Sequence, residues 1–215
     1  IQNLPVVLML DRAGISNEDG QSHQGLYDFA YLRHIPHMTV LAPADADELE
    51  AMIPAALRLG APCAIRYPKN AERLPEGYAI EDFAIGRWQT LRHGEDAALV
   101  ATGTMTAAAL RVADRLEEEG IRLTVVNAST VKPLDGACLD ALFTRRIPIL
   151  TMEEHVAMGG FGSSVLEYAA AAGVSAQIRT LAVGDFFVQH GDHAHLLKDV
   201  GLDDESVAQA VRNTV

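Results

Sequence analysis

Short, mostly apolar runs recur along this chain, and they restrict its fold more than any other feature. "VVLML" (6–10), "MTVLA" (38–42), "CAIRY" (63–67), "AALVAT" (97–102), "IRLTVVNA" (121–128), "IPILTME" (147–153) and "AQIRTLAV" (176–183) each have the length of one strand. Continuous rather than alternating apolar character suits strands covered on both faces, as in parallel sheets. The segments between them have helical period. "PADADELEAMIPAALRLG" (43–60) offers Asp45 or Asp47 as N-cap, acids in its first turn, and Gly60 as its stop. Leu49, Ile53, Ala56 and Leu57 are expected to line its buried face, and Pro54 to bend it. In "GTMTAAALRVADRLEEEG" (103–120), Ala109, Val112, Ala113 and Leu116 recur at the spacing of one helix face, with the charges elsewhere on the wheel. Shorter helical patterns occupy 26–35, 135–145, 159–173 and the tail from 195.

Strands alternating with helices imply layered parallel α/β structure. The rhythm breaks between about 69 and 94, where Pro75, Gly77, Gly86 and Gly94 lie among scattered charges. We therefore expect two layered α/β units, 1–75 and 95–215, joined by a linker at 76–94 with a short strand near "IGRWQTL" (85–91).

Composition narrows the function classes. The net charge of −12 over 215 residues disfavours non-specific binding to nucleic acid or an anionic membrane surface. No apolar run approaches the roughly 20 residues of a membrane span, and no signal peptide is visible. Cys63 and Cys138 stand far apart, with no metal-type or disulfide spacing. A reduced, cytoplasmic chain is expected. The chain opens at Ile1, almost directly into a strand, so it is expected to be a fragment of a longer protein.

The densest chemistry is "DRAGISNEDGQSHQG" (11–25), just after the first strand. In open α/β sheets ligands bind beyond the carboxyl ends of strands. That puts Arg12, Asp19 and His23 near one rim, together with Lys69 of "YPKN" after the third strand. Arg and Lys suit a phosphate. His suits proton transfer at a carbonyl oxygen, and Asp19, four residues earlier, is placed to orient His23. A solvated Asp-Gly turn explains the same letters, and the residues alone leave both readings open.

The order of motifs goes further. "DRAG", "EDGQSHQG", "YLRHIPHM", "LAPADADEL", "AIRYP", "VKPLD", "MEEHVAMGGFGS" and "DFFVQHG" together resemble the 1-deoxy-D-xylulose-5-phosphate synthases, thiamine-diphosphate enzymes of the transketolase superfamily, over essentially the whole chain. The resemblance implies a pyrimidine-binding unit followed by a transketolase-type C-terminal unit. It implies a reaction in which pyruvate loses carbon dioxide and condenses with glyceraldehyde 3-phosphate. By resemblance Arg12 holds the acceptor phosphate, and Asp19 and His23 contact substrate near the reacting carbons. Lys69 stands where the family usually carries a second phosphate-binding Arg, which keeps the charge and loses the two-pronged fork. Weaker acceptor binding is expected from that exchange. The family's Mg2+ and diphosphate contacts belong to an N-terminal domain upstream of Ile1. The fragment alone is therefore expected to be inactive, to bind thiamine diphosphate weakly or not at all, and to work with that missing domain as a homodimer. A transketolase, the β-subunit of a 2-oxo acid dehydrogenase, and a non-catalytic assembly module are the rival readings, and "DRAG" argues against the first two.

Other motifs read as structural. Glycines and hydroxyls in "GTMT" (103–106) and "GGFGSS" (159–164) suit helix starts. His190, His193 and His195 of "HGDHAH" suit surface or capping positions. Glu153, Glu154 and His155 suit a domain interface. Arg33, His34 and His37 suit the end of a short helix, Arg66 an internal pair, and Tyr67 and Trp88 packing.

Overall fold

A computed structural model describes residues 2–16, 20–69 and 73–215. Two sheets organise it. The first contains β1 (Val7–Leu10), β2 (Thr39–Leu41), β3 (Cys63–Arg66) and, further along the chain, β7 (Thr130–Lys132), in the order β1-β3-β2-β7. Its first three strands are parallel, and β7 runs antiparallel to β2. The second sheet takes β4 (Gln89–Arg92), β5 (Ala97–Ala101), β6 (Leu123–Asn127), β8 (Ile149–Val156) and β9 (Ile178–Val183), in the order β4-β6-β5-β8-β9. All its pairs are parallel except β4 with β6. Every residue of β2, β3, β5, β6 and β8 is buried, as continuous apolar runs demand.

Helices α1 (Asp28–Arg33) and α2 (Ala46–Arg58) belong to the first unit. α3 (Met105–Glu117), α4 (Gly136–Arg145), α5 (Phe161–Ala171), α6 (His193–Val200) and α7 (Asp204–Arg212) belong to the second. Asp45 caps α2 by accepting from Glu48 N at 2.9 Å. The helix continues through Pro54, whose exposed setting leaves the orphaned carbonyl of the turn before it to water. Its buried face differs from expectation. Glu48, Met52 and Ala56 face inward, whereas Ile53 and Leu57 are exposed. The helix is turned by Glu48, whose carboxylate accepts from Ala44 N at 2.7 Å and Asn127 Nδ2 at 2.9 Å. On α3, by contrast, the expected residues are all buried.

β7 joins the two units. It leaves the second unit, pairs Val40 with Lys132, and completes the first sheet. Trp88 supports this crossing: its indole donates to Thr130 O at 2.9 Å, and its ring meets Phe161 edge-on with centroids 5.6 Å apart. One apolar core, including Phe29, Val40, Val100, Val131 and Phe161, therefore runs between the sheets.

Candidate active site

The loop after β1 is anchored from three directions. Ala13 N donates to Tyr67 O at 3.0 Å, tying it to the end of β3. Gly14 and Gly25 exchange backbone hydrogen bonds at 2.9 Å each way. Ser16 is bracketed by the Gln24 amide, which accepts from Ser16 N at 2.6 Å and donates to Ser16 O at 3.1 Å. Left-handed backbone occurs at Arg12, φ 58°, and Gly14, φ 81°, beside these anchors. A side chain on Gly14 would meet the Glu154 carboxylate at 2.5 Å, so only glycine admits that acid against the loop.

Four strand ends then open onto one cavity of about 400 Å³. The segment after β1 contributes Arg12 and Ala13, that after β3 Pro68 and Lys69, that after β5 Thr104, and β8 itself Glu154. α3 adds Ala108 and Arg111, and α6 adds His193 and Leu197. The site thus lies where carboxyl edges of both sheets meet, the usual place for a ligand in such folds. Arg12 is half-buried and Lys69 exposed on this wall. Arg111 forks onto Asp204 at 2.8 and 3.1 Å, at the far side.

Of the residues singled out from the sequence, Arg12 and Lys69 come together in this cavity. His23 is not among the residues lining it. His23 is exposed in a short 3-10 turn, Gln21–His23, with Ser22 Oγ 3.0 Å from its Nδ1. Asp19 lies outside the described residues. Glu154 and His193, read as interface and surface groups, both reach the cavity wall, where His193 Nε2 stands 3.2 Å from Glu154 Oε1. Their partners come from remote segments, so no local spacing could have revealed them. Asp192 accepts from the first backbone N–H groups of α6 and so fixes where His193 begins that helix.

Behind the cavity lies a buried polar cluster. Arg66 is 4% exposed. Its Nε lies 2.8 Å from both oxygens of Asp28, and its Nη2 donates to Gly25 O at 2.6 Å and Glu154 O at 2.7 Å. Its guanidinium sits 4.4 Å from the centre of the Phe29 ring. His155 stacks on the other side of the network, its ring 5.0 Å from Phe29, with Nδ1 2.8 Å from Val156 O. Burial, reinforced by the Arg66 charge, pushes His155 down to about 4. Glu153 accepts from Phe161 N at 2.5 Å and Gly162 N at 2.8 Å, filling the N-terminus of α5 with a protein carboxylate. Burial nevertheless pushes Glu153 up to about 7, the donors offsetting only part of it. Arg33, expected at a solvated helix end, instead reaches the carbonyls of Gly159 and Gly160 at 2.7 and 2.9 Å.

Comparison with known proteins agrees with this architecture. Residues 1–74 match the family model for the transketolase pyrimidine binding domain, and residues 86–207 match that for the transketolase C-terminal domain. The chain is 40% identical over 215 residues to a 1-deoxy-D-xylulose-5-phosphate synthase of Aquifex aeolicus, covering 100% of this chain and 34% of the relative. It is 44% identical over 212 residues to the synthase of Thermus thermophilus, covering 98% and 33%. It therefore spans about a third of the length of these relatives. Among solved structures, a split-gene transketolase described as an inactive β4 tetramer superposes with a TM-score of 0.84 at 33% identity, covering 97% of this chain and 66% of the other.

Proposed function

This chain belongs to the transketolase family, and from that premise we propose that it carries the acceptor-binding part of a 1-deoxy-D-xylulose-5-phosphate synthase. In this reading the complete enzyme decarboxylates pyruvate and joins the remaining two carbons to glyceraldehyde 3-phosphate. Thiamine diphosphate supplies the carbanion chemistry. Among the described residues no group of three or more His, Cys, Asp or Glu is placed to hold a metal ion. The Mg2+ and diphosphate contacts belong, in this reading, to an N-terminal domain outside this segment.

This chain's own residues bind and orient the acceptor. Arg12 and Lys69 grip its phosphate, the first as a fork and the second as a point charge. The proton-handling role of His23, with Asp19 four residues before it in sequence, rests on the resemblance, since His23 stands on the exposed Gln21–His23 turn of this loop and is not among the cavity's lining residues. Fixing a small aldehyde by its phosphate converts a collision into an oriented encounter. The observation that carries the reading is the convergence of Arg12 and Lys69 on one cavity at the carboxyl edge, coupled through the Ala13 N to Tyr67 O hydrogen bond. The described helices include none long and apolar enough to cross a membrane. Tyr31 on α1 and Tyr27 and Ile35 at its two ends are exposed apolar side chains, and in this reading a second subunit covers them in a homodimer.

The test uses the complete enzyme. Arg12→Ala removes a charge-assisted contact of about 1.5–3 kcal/mol, so KM for glyceraldehyde 3-phosphate rises roughly 10- to 100-fold while that for pyruvate stays put. An unchanged acceptor KM overturns the assignment. The split-gene neighbour favours transketolase as the second reading. Turnover with a ketose phosphate donor in place of pyruvate would establish it.

A further inference from the structure

Glu154 belongs to the second unit, yet its best contacts are with the loop of the first. It is 6% exposed. Oε1 accepts from Ile15 N at 2.6 Å, three residues beyond Arg12. Oε2 stands 3.3 Å from Thr104 Oγ1, and Oε1 3.2 Å from His193 Nε2. Gly14 is shaped for this acid: its φ of 81° and missing side chain leave the space that the carboxylate fills. The main chain at Glu154 is fixed as well, because its carbonyl accepts from Arg66 and the nearby Val156 N donates to Leu26 O at 3.0 Å.

We infer that Glu154 is a positioning residue for acceptor binding: its carboxylate clamps the Gly14–Ile15 backbone and so sets where the Arg12 guanidinium meets the acceptor phosphate. The inference deepens the reading above and rests on it. Arg12 sits in left-handed backbone, which a residue with a side chain keeps only when its surroundings hold it there. The tie to Tyr67 O holds one side of that residue's loop, and Glu154 holds the other. A charge-assisted hydrogen bond to a backbone N–H is a firm anchor in a dry site. The same carboxylate also touches Thr104 and His193 on the opposite wall, so one side chain spaces both sides of the cavity. A carboxylate beside a phosphate site would otherwise repel the ligand. Here its oxygens are turned to the Ile15 N–H, the Thr104 hydroxyl and the His193 ring.

The test compares glyceraldehyde 3-phosphate with unphosphorylated D-glyceraldehyde as acceptors for the complete enzyme. In Glu154→Ala, kcat/KM for the phosphorylated acceptor falls roughly 10- to 100-fold, while the values for D-glyceraldehyde and pyruvate hold. Glu154→Gln keeps an oxygen for the Ile15 N–H and recovers most of the loss. Gly14→Ala attacks the same contact from the loop side, gives the same selective loss, and serves should Glu154→Ala fail to fold. Equal losses for both acceptors would mark Glu154 as merely structural and overturn the inference. So would no loss in Glu154→Ala when Arg12→Ala still weakens the phosphorylated acceptor. If Arg12→Ala itself spares that acceptor, the functional reading falls first and takes the inference with it.

Discussion

The loop after β1 and the end of β8 are both charge-rich segments at the carboxyl edge of a mainly parallel sheet, yet they use charge in opposite ways. In the first, Arg12 faces a cavity that Lys69, after β3, also lines. In the second, Glu153 and His155 are fully buried, and Arg66 and Asp28 close over them as an internal pair. The difference lies in what each backbone offers. The loop turns on glycines and is held at a few points, so it buries Ile15, Ser16 and Gln24 while Arg12 stays half-buried on the cavity wall. The end of β8 stays in the sheet, paired with β5 and β9, and every charge there must find an internal partner. Charge density in a sequence therefore marks a sheet edge without saying whether that edge is a site or a joint.

The sharpest way to break this contrast is to remove one arginine from each side. Arg66→Ala strands the Asp28 carboxylate and two carbonyls in the interior, and is expected to cost about 3–5 kcal/mol of unfolding free energy. Arg12→Ala on the cavity wall should cost less than about 1 kcal/mol. Urea midpoints for the two variants settle it. Similar losses would mean the loop is as much a structural joint as the buried cluster.

The buried side also carries a pH signature. Glu153, held up at about 7 by burial, keeps its proton in the folded state over a range where the unfolded chain has lost it. Its contribution is whole below its ordinary value near 4.5 and is lost as pH rises toward 7. His155, pushed down to about 4, acts oppositely: the unfolded imidazole binds a proton below 6.5 while the folded one resists, so that contribution is lost as pH falls through this window. Glu48, also raised to about 7, adds to the carboxyl effect. Two carboxyls outweigh one imidazole, so stability should decline from about pH 5 to 7. Glu153→Gln should remove a share of that decline of order 3 kcal/mol. Denaturation midpoints across this range measure it, and an unaltered pH profile in the variant would show that Glu153 is ionised throughout.

The same contrast explains what the sequence disclosed. Strands buried on both faces announce themselves as apolar runs, and Asp45 and Gly60 mark the limits of α2 in their own letters. That Arg12 and Lys69 would meet at one rim was legible because each closely follows such a strand. Glu154 was not legible as a loop clamp, since its partner Ile15 lies 139 positions away. Nor was β7, three residues that desert their own unit to finish the other sheet. The buried face of α2 was misplaced for a related reason. Periodicity counts apolar residues, but a buried acid, Glu48, took an inward position and left Ile53 and Leu57 to solvent. Long-range polar contacts are the part of this fold that spacing does not encode.

The finest test of the open edge is a gain rather than a loss. Lys69 follows Pro68 at the end of β3, and the hydrogen bonds from Tyr67 N to Leu10 O and from Ala13 N to Tyr67 O register it against the Arg12 loop. An ammonium there meets a phosphate as a compact charge, whereas a guanidinium would add a second directed hydrogen bond. One such bond is worth about 1 kcal/mol, so Lys69→Arg should lower KM for glyceraldehyde 3-phosphate about fivefold and leave D-glyceraldehyde unaffected. Because Lys69 is exposed, the change should leave stability nearly unaltered, in contrast to any exchange at Arg66, whose Nε already lies 2.8 Å from both oxygens of Asp28. If the acceptor KM does not move, Lys69 stands on the wall without touching the phosphate, and Arg12 alone distinguishes the open edge from the closed one.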